Sequence, residues 1–264
     1  MLGAIIGDIV GSRFEFSKPP KETFELFTDE CNFTDDTICT IAIADAILHG
    51  RDYQESLLDW CRRYPEPMGS YGTGFSVWLQ NSNPQPYDSC GNGSAMRVSS
   101  VGWLFEDFDE VLDEAKKSAE ITHNHPEGIK GAQCIAASIF RLRTCQLVKE
   151  SLERHVEKRF GYEIPSLSDV YRIGATGHFD ATCQETVPMA IRCFVESVDF
   201  EDALRLSVLA GGDTDTKTDI TGALAEAYYE IPEEIASRAC AYLPEEMIAV
   251  LHEFYEKVEQ NINL

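Results

Sequence analysis

Two short stretches of the chain hold residues that can do chemistry. NFTDDTICT, residues 32–40, sets Thr34, Asp35 and Asp36 before an apolar run, and LAGGDTDTKTDITG, residues 209–222, puts Asp213, Asp215 and Thr216 behind a glycine pair. Helix capping accounts for either stretch alone, because Thr or Asp at an N-cap satisfies orphan amides and first-turn acids favour the helix dipole. A capping acid normally faces solvent, whereas a metal ligand faces the interior. Asp35, Ile38 and Ala42 fall on one helical face, which puts Asp35 on an apolar side. Thr216, Ile220, Ala223, Leu224 and Ala227 form a second stripe, with Asp213 one turn earlier and Asp215 beside it. Carboxylates crowded into a partly buried place repel, and some take up protons unless a cation neutralises them. Carboxylate and hydroxyl oxygens are hard ligands, suited to Mg²⁺, Mn²⁺ or Ca²⁺.

Two further segments are candidates for ligand contact. DSCGNGSAMR, residues 88–97, places glycines on both sides of Asn92 directly before a helical pattern. Backbone amides at such a turn form a local anion site; a plain loop with an Asn or Ser cap is the competing reading. THNHPEG, residues 122–128, carries His123 and His125 ahead of Pro126, which suits the first position of a helix. With oxygen-rich clusters available for metal, these histidines suit substrate contact or the holding of a turn. Tyr71, Phe75 and Trp78, spaced along one helix face, read as core, not as a base-stacking cradle.

The elements that must position these groups are helices. Residues 35–49 read as a buried helix stopped by Gly50, and 109–121, 126–148, 183–196, 200–210, 214–230 and 244–260 repeat at helical spacing. No convincing series of alternating strands appears, so the fold class is all-α. Gly3, Gly7 and Gly11, spaced four apart, would line a groove along one face of an N-terminal helix, open to close approach by another backbone. Residues 65–94, around one short helix at 74–81, and residues 161–181 resist a helical reading. Long ordered loops of this kind are often functional. No repeat or linker composition divides the chain, which predicts one domain over residues 1–264.

Composition narrows the partners. With 45 Asp and Glu against 22 Lys and Arg, the net charge of −23 argues against binding a nucleic-acid backbone or an anionic membrane. The segment MLGAIIGDIVGS is apolar but lacks a basic lead-in and is broken by Asp8, so it reads poorly as a signal peptide. No apolar run reaches membrane-spanning length, and a cytoplasmic location is the expectation. Nine cysteines, an odd number without a C-x-x-C pair, predict reduced and mostly packed thiols.

Taken in order, GAIIGDIVGSRFE (3–15), FTDDT (33–37), GNGSAMR (91–97), THNHPEG (122–128) and GGDTDT (211–216) resemble the ADP-ribosylglycohydrolase family over nearly the whole chain. The resemblance implies an all-α fold with two divalent cations, Mg²⁺ or Mn²⁺. It implies cleavage of the N- or O-glycosidic bond joining ADP-ribose to an acceptor, which would be a modified protein side chain or a small conjugate. By matching motif, the metal ligands would be Thr34, Asp35, Asp36, Asp213, Asp215 and Thr216. Glu15 would lie near the scissile ribose on a movable loop, Ser89, Gly91, Asn92 and Gly93 would line the diphosphate and ribose site, and His123 would contact substrate. Asp35, Asp36 and Glu15 are the candidates for moving the proton.

One departure matters. Lys217, Thr218 and Asp219 follow GGDTDT where many members of the family carry small or apolar residues. Lys217, four residues beyond Asp213, is placed to pair with it and compete with a metal. An alternative is therefore a catalytically silent relative that binds ADP-ribose or serves structurally, as in the lens crystallin branch of the family. A dinuclear phosphohydrolase acting on the diphosphate is a third reading.

Overall fold

The structure, a computed structural model, describes residues 1–20 and 23–259, and among these it contains helices and two isolated bridges but no strand. In chain order the helices are α1 (Leu2–Ser12), α2 (Asp35–His49), α3 (Tyr53–Arg63), α4 (Thr73–Gln80), α5 (Gly93–Met96), α6 (Ser99–Leu104), α7 (Phe108–Glu120) and α8 (Pro126–Arg143). They continue with α9 (Lys149–Phe160), α10 (Leu167–Gly174), α11 (Cys183–Glu196), α12 (Phe200–Leu209), α13 (Thr214–Glu226), α14 (Glu233–Cys240) and α15 (Glu245–Lys257).

The centre is an antiparallel pair, α1 and α13, both buried along their whole length. A Cβ on Gly3, Gly7 or Gly11 would collide with the carbonyl oxygen of Gly222, Thr218 or Thr214 respectively. The groove of small residues is thus filled by the backbone of α13. Two hydroxyls of α13 are satisfied inside the bundle: Thr218 donates to Ser207 Oγ at 3.1 Å and Thr221 to the Lys217 carbonyl at 2.8 Å. At the far end, Glu226 accepts from Gly3 N at 2.8 Å, from the Met1 amine and from the Tyr255 hydroxyl. Around this pair α2 packs on α1, α11 and α12 pack on α13, and α8 packs on α7. The apolar core is continuous across these elements.

The helices α2 and α11 have the ends that the sequence predicts. By contrast, α8 stops at Arg143 instead of 148, because the chain turns at Thr144 and takes a positive φ of 56° at Cys145. The helix predicted to 230 stops at Glu226, and α15 stops at Lys257, while residue 260 lies outside the described residues. The segment 161–181 is not wholly irregular: it contains α10, capped by Ser166, whose hydroxyl accepts from Asp169 N at 3.2 Å. All nine cysteines are free. No helix of the described residues is long and apolar enough to cross a membrane.

Candidate active site: two acidic helix ends on one cavity

The first acidic cluster is held by Asp8, the one acid in α1. Its Oδ2 accepts from Thr34 N at 2.9 Å, Thr37 N at 3.1 Å and the Thr37 hydroxyl, and its Oδ1 accepts from Thr34 Oγ1 at 2.7 Å. Thr34 Oγ1 in turn accepts from Asp36 N at 3.1 Å. Capping of α2 is therefore done by Asp8 and Thr34, which leaves the carboxylates of Asp35 and Asp36 out of it. Burial pushes Asp8 up to about 6, against the opposing pull of its hydrogen bonds.

The second cluster is delivered by a left-handed turn. Gly211 and Gly212 have φ of 63° and 75°, which disfavours any residue with a Cβ. The turn makes Asp213 the N-cap of α13 and sets Asp215 and Thr216 in its first turn. Carboxylate oxygens of Glu15, Asp213 and Asp215 lie within 4.8 Å of one another. Glu15 is admitted by a further positive-φ glycine, because a Cβ on Gly69 would stand 2.5 Å from Glu15 Oε2.

Glu15, Asp35, Asp36, Asp213, Asp215 and Thr216 line one cavity of about 520 Å³. Thr34 is fully buried and stands behind its wall, with Oγ1 tied to Asp8 and Asp36. Asp36 Oδ2 and Asp215 Oδ1 are buried with no hydrogen-bond partner. Burial, then the neighbouring acids, holds Asp35, Asp36 and Asp215 well above the usual carboxylate range. Burial and then Asp213 push Glu15 up to about 7, with a hydrogen bond to Asp215 pulling the other way. Orphaned hard oxygens on repelling acids are a donor set that fits divalent cations.

Lys217 does not join this set. Its Nζ donates to the Gly211 carbonyl, which the left-handed turn presents to it, and it makes no salt bridge among the described residues. The pairing with Asp213 that the spacing allows is not formed. Lys217 is buried behind the turn, where burial lowers its pKa, and it does not line the acidic cavity.

Ser89, Gly91, Asn92, Gly93 and His123 are brought to the same cavity. The amide cradle expected of the glycine loop is mostly engaged within the protein: Gly91 N donates to Ser89 Oγ at 3.1 Å and Asn92 N to Ala181 O at 2.8 Å. The Asn92 side chain is buried and donates to Thr186 Oγ1 at 3.0 Å and Asp213 Oδ2 at 2.7 Å. The helix behind the loop, α5, has only four residues. The glycines let His123 lie close to the loop, since a Cβ on Gly91 or Gly93 would stand 3.3 or 3.2 Å from His123 Nε2, a tight contact.

His125 is used locally, its Nδ1 accepting from Glu127 N at 3.1 Å as the cap of α8. Tyr71, Phe75 and Trp78 are all buried, with Phe75 stacked on Trp78 at 5.3 Å, and Tyr71 and Phe75 also form a wall of the cavity. At the rim, Phe16 stacks on Phe179 at 5.1 Å. A separate His178, Asp180 and Glu185 group is internally satisfied, with His178 Nε2 3.0 Å from Glu185 Oε2 and Asp180 Oδ1 accepting from Thr182 N at 2.7 Å.

Sequence reading passed over Asp8 and Arg97 as site residues. The signal for Asp8 was a lone acid flanked by Gly7 and Gly11 in an apolar helix; that for Arg97 was a cation closing the GNGSAMR segment.

The family model described as ADP-ribosylglycohydrolase matches residues 1–263. The ADP-ribosylhydrolase ARH3 of Mus musculus is 25% identical over 313 residues, covering 88% of this chain and 84% of the relative. The Homo sapiens ADP-ribosylhydrolase ARH3 is 23% identical over 338 residues, covering 97% of this chain and 93% of the relative. A solved ADP-ribosylglycohydrolase-related protein complex shares the fold, with a TM-score of 0.71 over 97% of each chain at 24% identity.

Proposed function

The chain belongs to the ADP-ribosylglycohydrolase family, and from that premise we propose that it hydrolyses the glycosidic bond joining ADP-ribose to an acceptor at the cavity between the N-termini of α2 and α13. The observation that carries this reading is the convergence on one cavity of acids from distant parts of the chain, two of them with orphaned buried oxygens. In this reading Asp35 and Asp36 from one helix end and Asp213, Asp215 and Thr216 from the other hold two divalent cations, Mg²⁺ or Mn²⁺, with Thr34 joining them only through the one lone pair of Oγ1 that its bonds to Asp8 and Asp36 leave free. Such ions supply Lewis acidity and positive charge that offsets the carboxylates.

The residues of the chain then divide the work. Asp8 fixes the end of α2, so that Asp35 and Asp36 keep their carboxylates for the cavity. Asn92 holds one oxygen of Asp213. Glu15, Asp35 and Asp36 are the carboxyls placed to exchange a proton with the attacking water or the departing acceptor. Burial and the Asp213 charge bring Glu15 up to about 7, near the pH at which a general acid or base works best. The ring of carboxylates stabilises the oxocarbenium character that develops at the anomeric carbon as the acceptor leaves. Ser89, Gly91, Gly93 and His123 form the nucleotide side of the cavity, whose volume of about 520 Å³ is within the range of small-molecule sites. The substrates of this reading are ADP-ribosylated proteins or small ADP-ribose conjugates.

The test is incubation with ADP-ribosyl-arginine and ADP-ribosyl-serine peptides in Mg²⁺, in Mn²⁺ and in chelator. Metal-dependent release of ADP-ribose from at least one peptide is the expected result. Tight ADP-ribose binding without release from either would favour a silent relative, and release of AMP would favour a phosphohydrolase.

A further inference from the structure

Three side chains behind the glycine loop form one hydrogen-bonded line. Arg97 is 1% exposed, and its Nη2 donates to the Ser118 carbonyl at 2.8 Å and to Thr122 Oγ1 at 2.9 Å. Thr122 Oγ1 lies 2.7 Å from His123 Nδ1. A guanidinium only donates, so it occupies a lone pair of the Thr122 oxygen. The hydroxyl proton of Thr122 is then left for His123 Nδ1, the one remaining partner it has among the described residues. Nδ1 is thereby an acceptor, and the ring proton sits on Nε2. That nitrogen lies against Gly91 and Gly93 on the cavity side and has no protein partner among the described residues.

We propose that Arg97 and Thr122 are positioning residues that fix His123 in the Nε2–H tautomer, so that it presents a neutral hydrogen-bond donor to an oxyanion of the bound ligand. The oxyanion is a phosphate oxygen of a nucleoside diphosphate, and this identity alone rests on the ADP-ribose reading. Burial, with the Arg97 charge adding to it, holds His123 well below its ordinary pKa and so keeps the ring neutral. His123 therefore recognises ligand and takes no part in proton transfer, which falls to the carboxyls across the cavity. The relay also explains why a strongly acidic chain keeps a cation buried at this place: a neutral residue at 97 would leave the Thr122 hydroxyl free to reverse its bond.

The tautomer is read directly by ¹⁵N NMR of the imidazole in the full, Mg²⁺-loaded chain. The expected result is a neutral His123 protonated on Nε2 across about pH 6 to 8, the range in which an unperturbed histidine titrates. In Thr122→Val the ring should populate both tautomers and ADP-ribose affinity should fall about tenfold, the size of one buried hydrogen bond. Mn²⁺ affinity should not change, and Thr122→Ser should restore both tautomer and affinity. A wild-type ring protonated on Nδ1, an imidazolium titrating near neutrality, or a Thr122→Val chain with wild-type tautomer and affinity would each overturn the relay. Should wild-type protein fail to bind ADP-ribose, the functional reading fails, and the wild-type tautomer still decides the relay.

Discussion

Asn92 Nδ2 donates to Asp213 Oδ2 at 2.7 Å, joining the glycine loop to the acid that begins α13. The two residues are far apart in sequence, and both are buried at the cavity. A neutral donor on one oxygen of Asp213 fixes the direction of the carboxylate without adding charge to an already acidic site. Asn92→Ala should therefore lower turnover by about tenfold or more while helical content is kept. Asn92→Asp should be worse, because it sets a second carboxylate against Asp213. Steady-state kinetics beside far-ultraviolet circular dichroism checks the pair of variants.

The glycine seam makes a mechanical prediction. Gly7→Ala drives a methyl into the Thr218 carbonyl and must part α1 from α13, which should cost about 2–3 kcal/mol in urea unfolding. Gly50→Ala is the control: its φ of 63° is strained for alanine but the space around it is open, so the cost should be about 1 kcal/mol. Equal losses in the two variants would contradict close packing at the seam.

The seam and the two acidic clusters were legible in the sequence because each is a local pattern: glycines at one helical spacing, and acids opening apolar stripes. The ends of α2 and α11 were legible for the same reason. Asp8 was legible only as a lone acid in an apolar helix; its role was not, since its partners Thr34 and Thr37 lie at the start of another helix and no local rule links them. The engagement of the Asn92 amide by Ala181 is invisible for the same cause. Lys217 was misdirected by spacing alone: on an ideal helix it reaches Asp213, but the left-handed glycine turn offers it the Gly211 carbonyl first. Two helices had local signals that were passed over, Ser166 with Asp169 ahead of α10 and Asp52 with Glu55 ahead of α3.

Stability of the metal-stripped chain should fall as pH rises. Burial raises Glu15 to about 7 and Asp8 to about 6, and it holds Asp35, Asp36 and Asp215 well above the usual carboxylate range. A carboxyl raised above its unfolded value holds its proton more tightly in the folded chain, so its stability contribution is complete below about pH 4 and is lost as pH climbs through the folded value. Melting temperature in chelator should decline from about pH 5 through 8. With Mn²⁺ bound the decline should be much weaker, and a rise with pH in chelator would contradict the burial of these acids.

Glu15→Gln removes a charge from the group it forms with Asp213 and Asp215. In chelator at alkaline pH the variant should melt higher than wild type, because one repelling carboxylate is gone. Its turnover should drop by about a hundredfold or more, the lower range for loss of a proton-transferring group. Differential scanning calorimetry and initial rates on the same preparation separate the two effects.

If acids from α2 and α13 act together through bound divalent cations, turnover must follow the metal, and metal add-back measures that. ADP-ribose release is measured for the metal-stripped chain as Mg²⁺ or Mn²⁺ is returned, in wild type and in Asp213→Asn. Stripped wild type should release none, add-back should restore release, and Asp213→Asn should not recover despite an intact helical fold. Release by the stripped chain, or wild-type turnover in Asp213→Asn, would contradict that joint action.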